Sequence, residues 1–123
     1  MGMIGFMKND FSEEIHQLHA DICQALSDPK RILILYELKE GRKSVGQLAG
    51  DLNLKQANLS QHLMVLRERE MVKTQREGAV IFYSLANTKV IEALDLLREV
   101  LAEKLQKSSL LAHTLAHSSP SSL

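Results

Sequence analysis

The 123-residue sequence predicts a mainly α-helical fold carrying one small β-hairpin. Residues 44–71, SVGQLAGDLNLKQANLSQHLMVLREREM, hold two short helical repeats joined by a tight turn, the second opening on a cluster of polar side chains. The runs MVKTQR and VIFYSL follow around a Glu77-Gly78-Ala79 turn, rich in β-branched and aromatic residues as strands are. Long apolar repeats near both ends mark two flanking helices. Helix, turn, helix and hairpin in this order make a winged helix-turn-helix.

Each element has its own signal. After an expected flexible arm over 1–11, the first helix is expected over 12–26, with Glu13 and Glu14 in its first turn, where acids suit the helix dipole. Ile15, Leu18, Ile22 and Leu26 form its apolar stripe. Asp28 caps the second helix with Pro29 at its first position. Ile32, Leu33, Leu35, Tyr36 and Leu38 then run to a Gly41 stop, so this helix should be largely buried. Ser44 and Gln47 form a capping box for the third helix, which buries Val45, Leu48, Ala49 and Leu52 before Asn53 ends it. In the fourth, Leu59, Leu63 and Leu66 recur at helical spacing and face the core. Ile81, Tyr83 and Leu85 alternate along the second strand and should pack inward.

The last helix is expected from about Asn87, some 20 residues long, with Val90, Ile91, Leu94, Leu97, Val100, Leu101 and Leu105 along one seam. That seam exceeds what a small domain covers, so it calls for a partner helix. The domain is drawn over 12–106, with a C-terminal helical extension and Ser-rich tail over 107–123. Leu110, Leu111 and Leu115 can continue the helix, and 118–123 should be disordered.

The polar side of the fourth helix carries the chemistry. Major-groove base edges are read by slim amides and hydroxyls that donate and accept hydrogen bonds, and Gln or Asn pairs well with adenine. Gln56, Asn58, Ser60 and Gln61 are the candidates for base contact. Lys55, His62, Arg67, Lys73 and Arg76 are candidates for phosphate or groove edge, and Ser44 joins the same DNA-contact set. His62 has a second reading, a hydrogen bond inside the motif. Between Arg42 and Arg76 seven basic residues face three acidic ones, although the whole chain has a net charge of zero. Each neutralised phosphate releases counterions, so this basic middle matters more than the overall balance.

DPKRILILYEL, SVGQLAGDLNL, LSQHLMVLRE and the ending IFYSL resemble the ArsR-type winged-helix repressors of bacteria and archaea over about residues 15–106. The resemblance implies a homodimer whose first and last helices pair the subunits, which makes Ile15, Leu18, Ile22, Val90, Leu94, Leu97, Leu101 and Leu105 the expected dimer contacts, and whose recognition helices read a palindromic operator near a promoter; in many members a ligand at a distant site releases the DNA. Two positions depart from the family pattern. Lys55 stands where a capping serine is common, which costs about 1 kcal/mol if nothing replaces it. Glu70 stands where glycine usually ends the helix. A Cys-x-Cys metal pair is absent, its positions being Ser44 and Gly46, and no histidine lies between His62 and His113 to build the last-helix metal site.

His16, His19 and Cys23 are spaced i, i+3 and i+7, and His113 with His117 are spaced i, i+4. Such spacing can hold zinc, which leaves a metal- or redox-responsive variant as an alternative, alongside a protein-docking winged helix without DNA binding. The leading expectation assigns no metal and no cofactor. No nucleophile, base and oxyanion set is present, nor a phosphate-binding glycine loop, so an enzyme is not expected. One cysteine, no secretory leader and no run of eighteen apolar residues point to a soluble cytoplasmic protein without a membrane partner.

Overall fold

The computed structural model describes residues 3–118, with side chains described over 10–116. The chain divides after Thr88 into two compact units.

The first unit opens with α1 (Met3–Leu18), followed by one π-helical turn (His19–Cys23). The helix begins well before the expected start at Ser12, because no proline interrupts residues 3–12, and it takes in most of the expected arm. The helices α2 (Pro29–Leu38), α3 (Val45–Leu52) and α4 (Gln56–Glu68) follow. Two of their starts use the anticipated caps. Asp28 Oδ1 accepts from the Lys30 N–H at 2.8 Å. Ser44 Oγ accepts from the Gln47 N–H at 3.2 Å, while Gln47 Oε1 accepts from the Ser44 N–H at 2.9 Å.

The helix ends are equally local. Asn53 closes α3 in the left-handed region at φ 53°. There the Leu54 N–H reaches back to the Ala49 carbonyl and the Asn53 N–H to that of Gly50, which is a Schellman motif. The same motif ends α4, with the Met71 N–H bonded to the Leu66 carbonyl, the Glu70 N–H to that of Arg67, and Glu70 itself at φ 58°. Glutamate therefore occupies the position that glycine fills most easily, and the helix keeps the glycine-type ending.

A three-stranded antiparallel sheet completes the unit in the order β1-β3-β2, from β1 (Lys43–Ser44), β2 (Val72–Glu77) and β3 (Val80–Leu85). β2 and β3 form the hairpin, turning through Gly78 at φ 61°. The core holds Ala25, Ile34, Leu35, Leu38, Leu48, Leu59, Leu63, Leu66, Met71 and Val72, with α2, α3 and α4 packed on one another.

Three burial expectations need correction. Leu33 is 54 % exposed, because α2 turns Ile34, Leu35 and Leu38 to the core and Leu33 falls on the other side. Of the four residues expected to be buried on α3, Leu48 alone is fully so, and Val45, Ala49 and Leu52 are half-buried. Ile81 is 39 % exposed, whereas Tyr83 and Leu85 are half-buried. It sits near the hairpin tip, in register with the exposed Arg76.

The second unit is α5 (Lys89–Ser118), one unbroken helix of 30 residues. It runs straight through the boundary drawn at 107, and Leu110, Leu111 and Leu115 lie on it. Ile91 and Leu94 are buried, while Leu96, Leu97, Val100, Leu101 and Leu105 are each more than half exposed. Residues 119–123, most of the expected disordered tail, lie outside the described residues. No helix of the described chain is long and apolar enough to cross a membrane.

Candidate nucleic-acid interface

Burial of Leu59, Leu63 and Leu66 fixes which way α4 faces. At 3.6 residues per turn, Ala57, Gln61 and Met64 form the stripe farthest from those leucines, with Ser60 close beside it. All four are exposed. Gln56 and Asn58 are exposed as well, each about 100° around the helix from Ala57 on opposite sides. Ser60 and Gln61 therefore lie on the side away from the core, while Gln56 and Asn58 are exposed on its two opposite flanks. The helical spacing that puts Ser60 and Gln61 on this side puts Met64 there too, although it is not among the expected contacts, and Ala57, which the sequence reading missed, is signalled by its i, i+3 and i, i+4 relation to Ser60 and Gln61.

The start of α4 is bare. Lys55 is its N-cap, with no side-chain hydrogen bond to the first turn. Ser44, another of the expected contacts, uses its oxygen to cap α3, and its hydroxyl proton remains for an outside acceptor.

His62 is half-buried and turned inward. Arg31 Nη1 donates to its Nδ1 at 3.3 Å, which leaves Nε2 to carry the proton of the neutral ring. The same arginine donates to the Ala25 carbonyl at 2.6 Å and to the Gln24 carbonyl at 3.2 Å. The internal reading of His62 thus has a named partner. Arg69, one residue past α4, donates to the Ala20 carbonyl at 2.9 Å and to Asp21 at 3.1 Å.

The basic middle of the chain separates into two groups. Arg42 pairs with Glu77 at 2.7 Å and stacks 4.2 Å from the centre of the Phe82 ring. Lys43 bridges Glu37 and Asp51, at 2.6 and 2.7 Å, and Arg69 is held by Asp21. The hydrogen bond from Arg42 holds the Glu77 carboxyl below the usual carboxylate range, and that from Lys43 does the same to Asp51. The two partner cations are pushed up by the same bonds. Lys55, Arg67, Lys73 and Arg76 are exposed and have no ion-pair partner among the described residues. Those four were already the lysines and arginines in the expected DNA-contact set.

Strand register refines the hairpin. Arg76 opposes Ile81 and Lys73 opposes Ser84, three positions apart on β2, so the two cations project from opposite faces. A hairpin lying along one DNA backbone engages one of them. A hairpin entering a groove presents one to each wall.

His16 Nδ1 donates to the Ser12 carbonyl at 2.7 Å, and the π-helical turn shifts the helical phase between His19 and Cys23. Among the described residues no three His, Cys, Asp or Glu side chains gather as a metal site. The side chain of His117 lies outside the described residues.

Residues 28–74, from the Asp28 cap into β2, match the model of a bacterial regulatory protein family, arsR. Over 95 residues the chain is 41 % identical to the HTH-type transcriptional regulator Rv0081 of Mycobacterium tuberculosis, covering 76 % of this chain and 83 % of that one. The chain belongs to the ArsR family. The Rv0081 crystal structure superposes with a TM-score of 0.68 at 39 % identity, over 76 % of this chain and 94 % of that one. The transcriptional repressor BigR from Xylella fastidiosa gives a TM-score of 0.66 at 33 % identity, over 76 % and 94 %. The homodimeric winged helix-turn-helix domain Mb0332 of Mycobacterium bovis gives 0.69 at 26 % identity, over 80 % and 91 %. As an ArsR-family chain with this interface, the protein is a DNA-binding transcriptional regulator of winged helix-turn-helix fold, and its family is one of regulators rather than enzymes.

Proposed function

We propose that the chain acts in the cytoplasm as a homodimeric repressor, its two α4 helices reading the halves of a palindromic operator. Gln56, Asn58, Ser60 and Gln61 contact base edges. Lys55, Arg67, Lys73 and Arg76 contact phosphates, Ser44 supports them through its hydroxyl proton, and His62 has only Nε2 left to offer. The observation that carries this reading is the exposed polar side of α4, backed by three buried leucines, together with four exposed cations that have no ion-pair partner among the described residues.

Two apolar surfaces support pairing. On α1 and its π-helical turn Ile15, Leu18 and Ile22 are 42, 43 and 38 % exposed. On α5 Leu97, Leu101 and Leu105 are 62, 54 and 61 % exposed. Water contact over so much leucine and isoleucine is unfavourable, and a second copy relieves it on both surfaces. Leu94, read from the sequence as part of the seam, is 6 % exposed in the single chain and has little left to bury, and Val90 is half-buried. The partner seam is therefore centred on Leu97, Leu101 and Leu105. Mb0332, described as homodimeric, provides a precedent for the assembly.

Selection of bound duplexes from a random pool by the purified full chain tests the proposal. The expected product is a palindrome with half-site centres about 34 Å apart, one helical turn. A single unrepeated motif, or no enrichment at low salt, would refute it.

A further inference from the structure

The outer stripe of α4 is not purely polar. Met64 is 55 % exposed while its neighbour Leu63 is 1 % exposed, so its side chain stands on the far side of the helix from the core. Ala57 lies on the same stripe two turns earlier and is exposed too. Glu68, one turn beyond Met64, is exposed and acidic, which disfavours close approach to phosphates and bounds the stripe. Between those limits the surface reads methyl, hydroxyl and amide, thioether.

Base edges offer a matching set. In the major groove only thymine presents a methyl group, and apolar side chains recognise it by contact alone. We infer that Ala57 and Met64 are specificity-determining residues that each cover a thymine methyl, while Ser60 and Gln61 between them take polar edges. The inference rests on the proposed operator binding and continues that same surface. Seven residues at about 1.5 Å rise separate Ala57 from Met64 by roughly 10 Å. Successive bases on a strand are about 3.4 Å apart, so the two thymines fall about three base steps from each other within a half-site.

The test uses the full chain and a duplex recovered from a random pool, resynthesised with deoxyuridine replacing one thymine at a time. Uracil lacks the methyl group and keeps the hydrogen-bonding pattern. Two thymines per half-site, about three steps apart, should each lose about fourfold in affinity on replacement, the effect of one methyl group's apolar surface left in water. Met64→Ala should lose a similar factor on the thymine duplex and become indifferent to uracil at one of the two positions. Ala57→Gly should do so at the other. Met64 is exposed, so the variant is expected to fold, and the uracil series on the unsubstituted protein stands without it. Uracil tolerated everywhere, or full thymine preference retained by Met64→Ala, would overturn the inference while leaving operator binding intact. Failure to recover any duplex would overturn both.

Discussion

Gln56 opens the recognition helix and is exposed, with no core role. Gln56→Ala should therefore cost about 1 to 3 kcal/mol on the selected operator and little on random duplex, measured by fluorescence anisotropy. Equal losses on both would remove it from base reading. Glu70 makes a prediction about stability instead. A side chain at φ 58° strains against its own backbone, so Glu70→Gly should stabilise the fold by about 1 kcal/mol, visible as a higher urea midpoint. A lower midpoint would mean that the glutamate side chain contributes more than its strain costs. This residue was legible in the sequence as a departure from the family glycine. Its outcome was not, because whether a helix keeps its ending or finds another depends on the Leu66 and Arg67 carbonyls that the following chain reaches.

At the scale of elements, the cations sort by what holds them. Arg76 has no ion-pair partner among the described residues, whereas Arg42 is tied to Glu77. Arg76→Ala should weaken binding to all duplexes and lower the slope of log affinity against log salt by about one, while Arg42→Ala should leave the slope nearly unchanged. The reverse order would place DNA on the other side of the hairpin. The bridge from Lys43 to Asp51 joins the sheet to α3, and its pH dependence has a definite sign. A carboxyl whose pKa folding lowers stabilises the fold above its unfolded value, about 3.9 for aspartate, and loses that contribution as pH falls through the lowered value. Lys43→Met should accordingly show a smaller drop in urea midpoint between about pH 6 and pH 3 than the unsubstituted chain. An unchanged drop would show the bridge to be energetically silent.

Caps and hydrophobic spacing made α2, α3, α4 and the hairpin readable, since each signal acts within a few residues. β1 was not readable. Its two residues become a strand only because Tyr83 and Phe82 lie opposite them, a pairing some forty residues away in the chain. The split among the basic residues was hidden for the same reason: counting charge from Arg42 to Arg76 includes three cations that the fold engages with Glu37, Asp51, Glu77 and Asp21.

For the whole molecule, the proposed pairing should set affinity. Leu97→Glu with Leu101→Glu should give a monomer in sedimentation equilibrium and weaken operator binding by about a hundredfold, since linking two half-sites commonly gains that much. A doubly substituted chain that remained dimeric would move the interface off α5. The two arginines rooted beside or against the recognition helix bear on the same question. Arg69 holds the Ala20 carbonyl, and Arg31 holds those of Gln24 and Ala25 while touching His62. The π-helical turn is thereby tied to the end of α4 through Ala20, and the two residues Gln24 and Ala25 just past it are tied through Arg31 to His62 within α4.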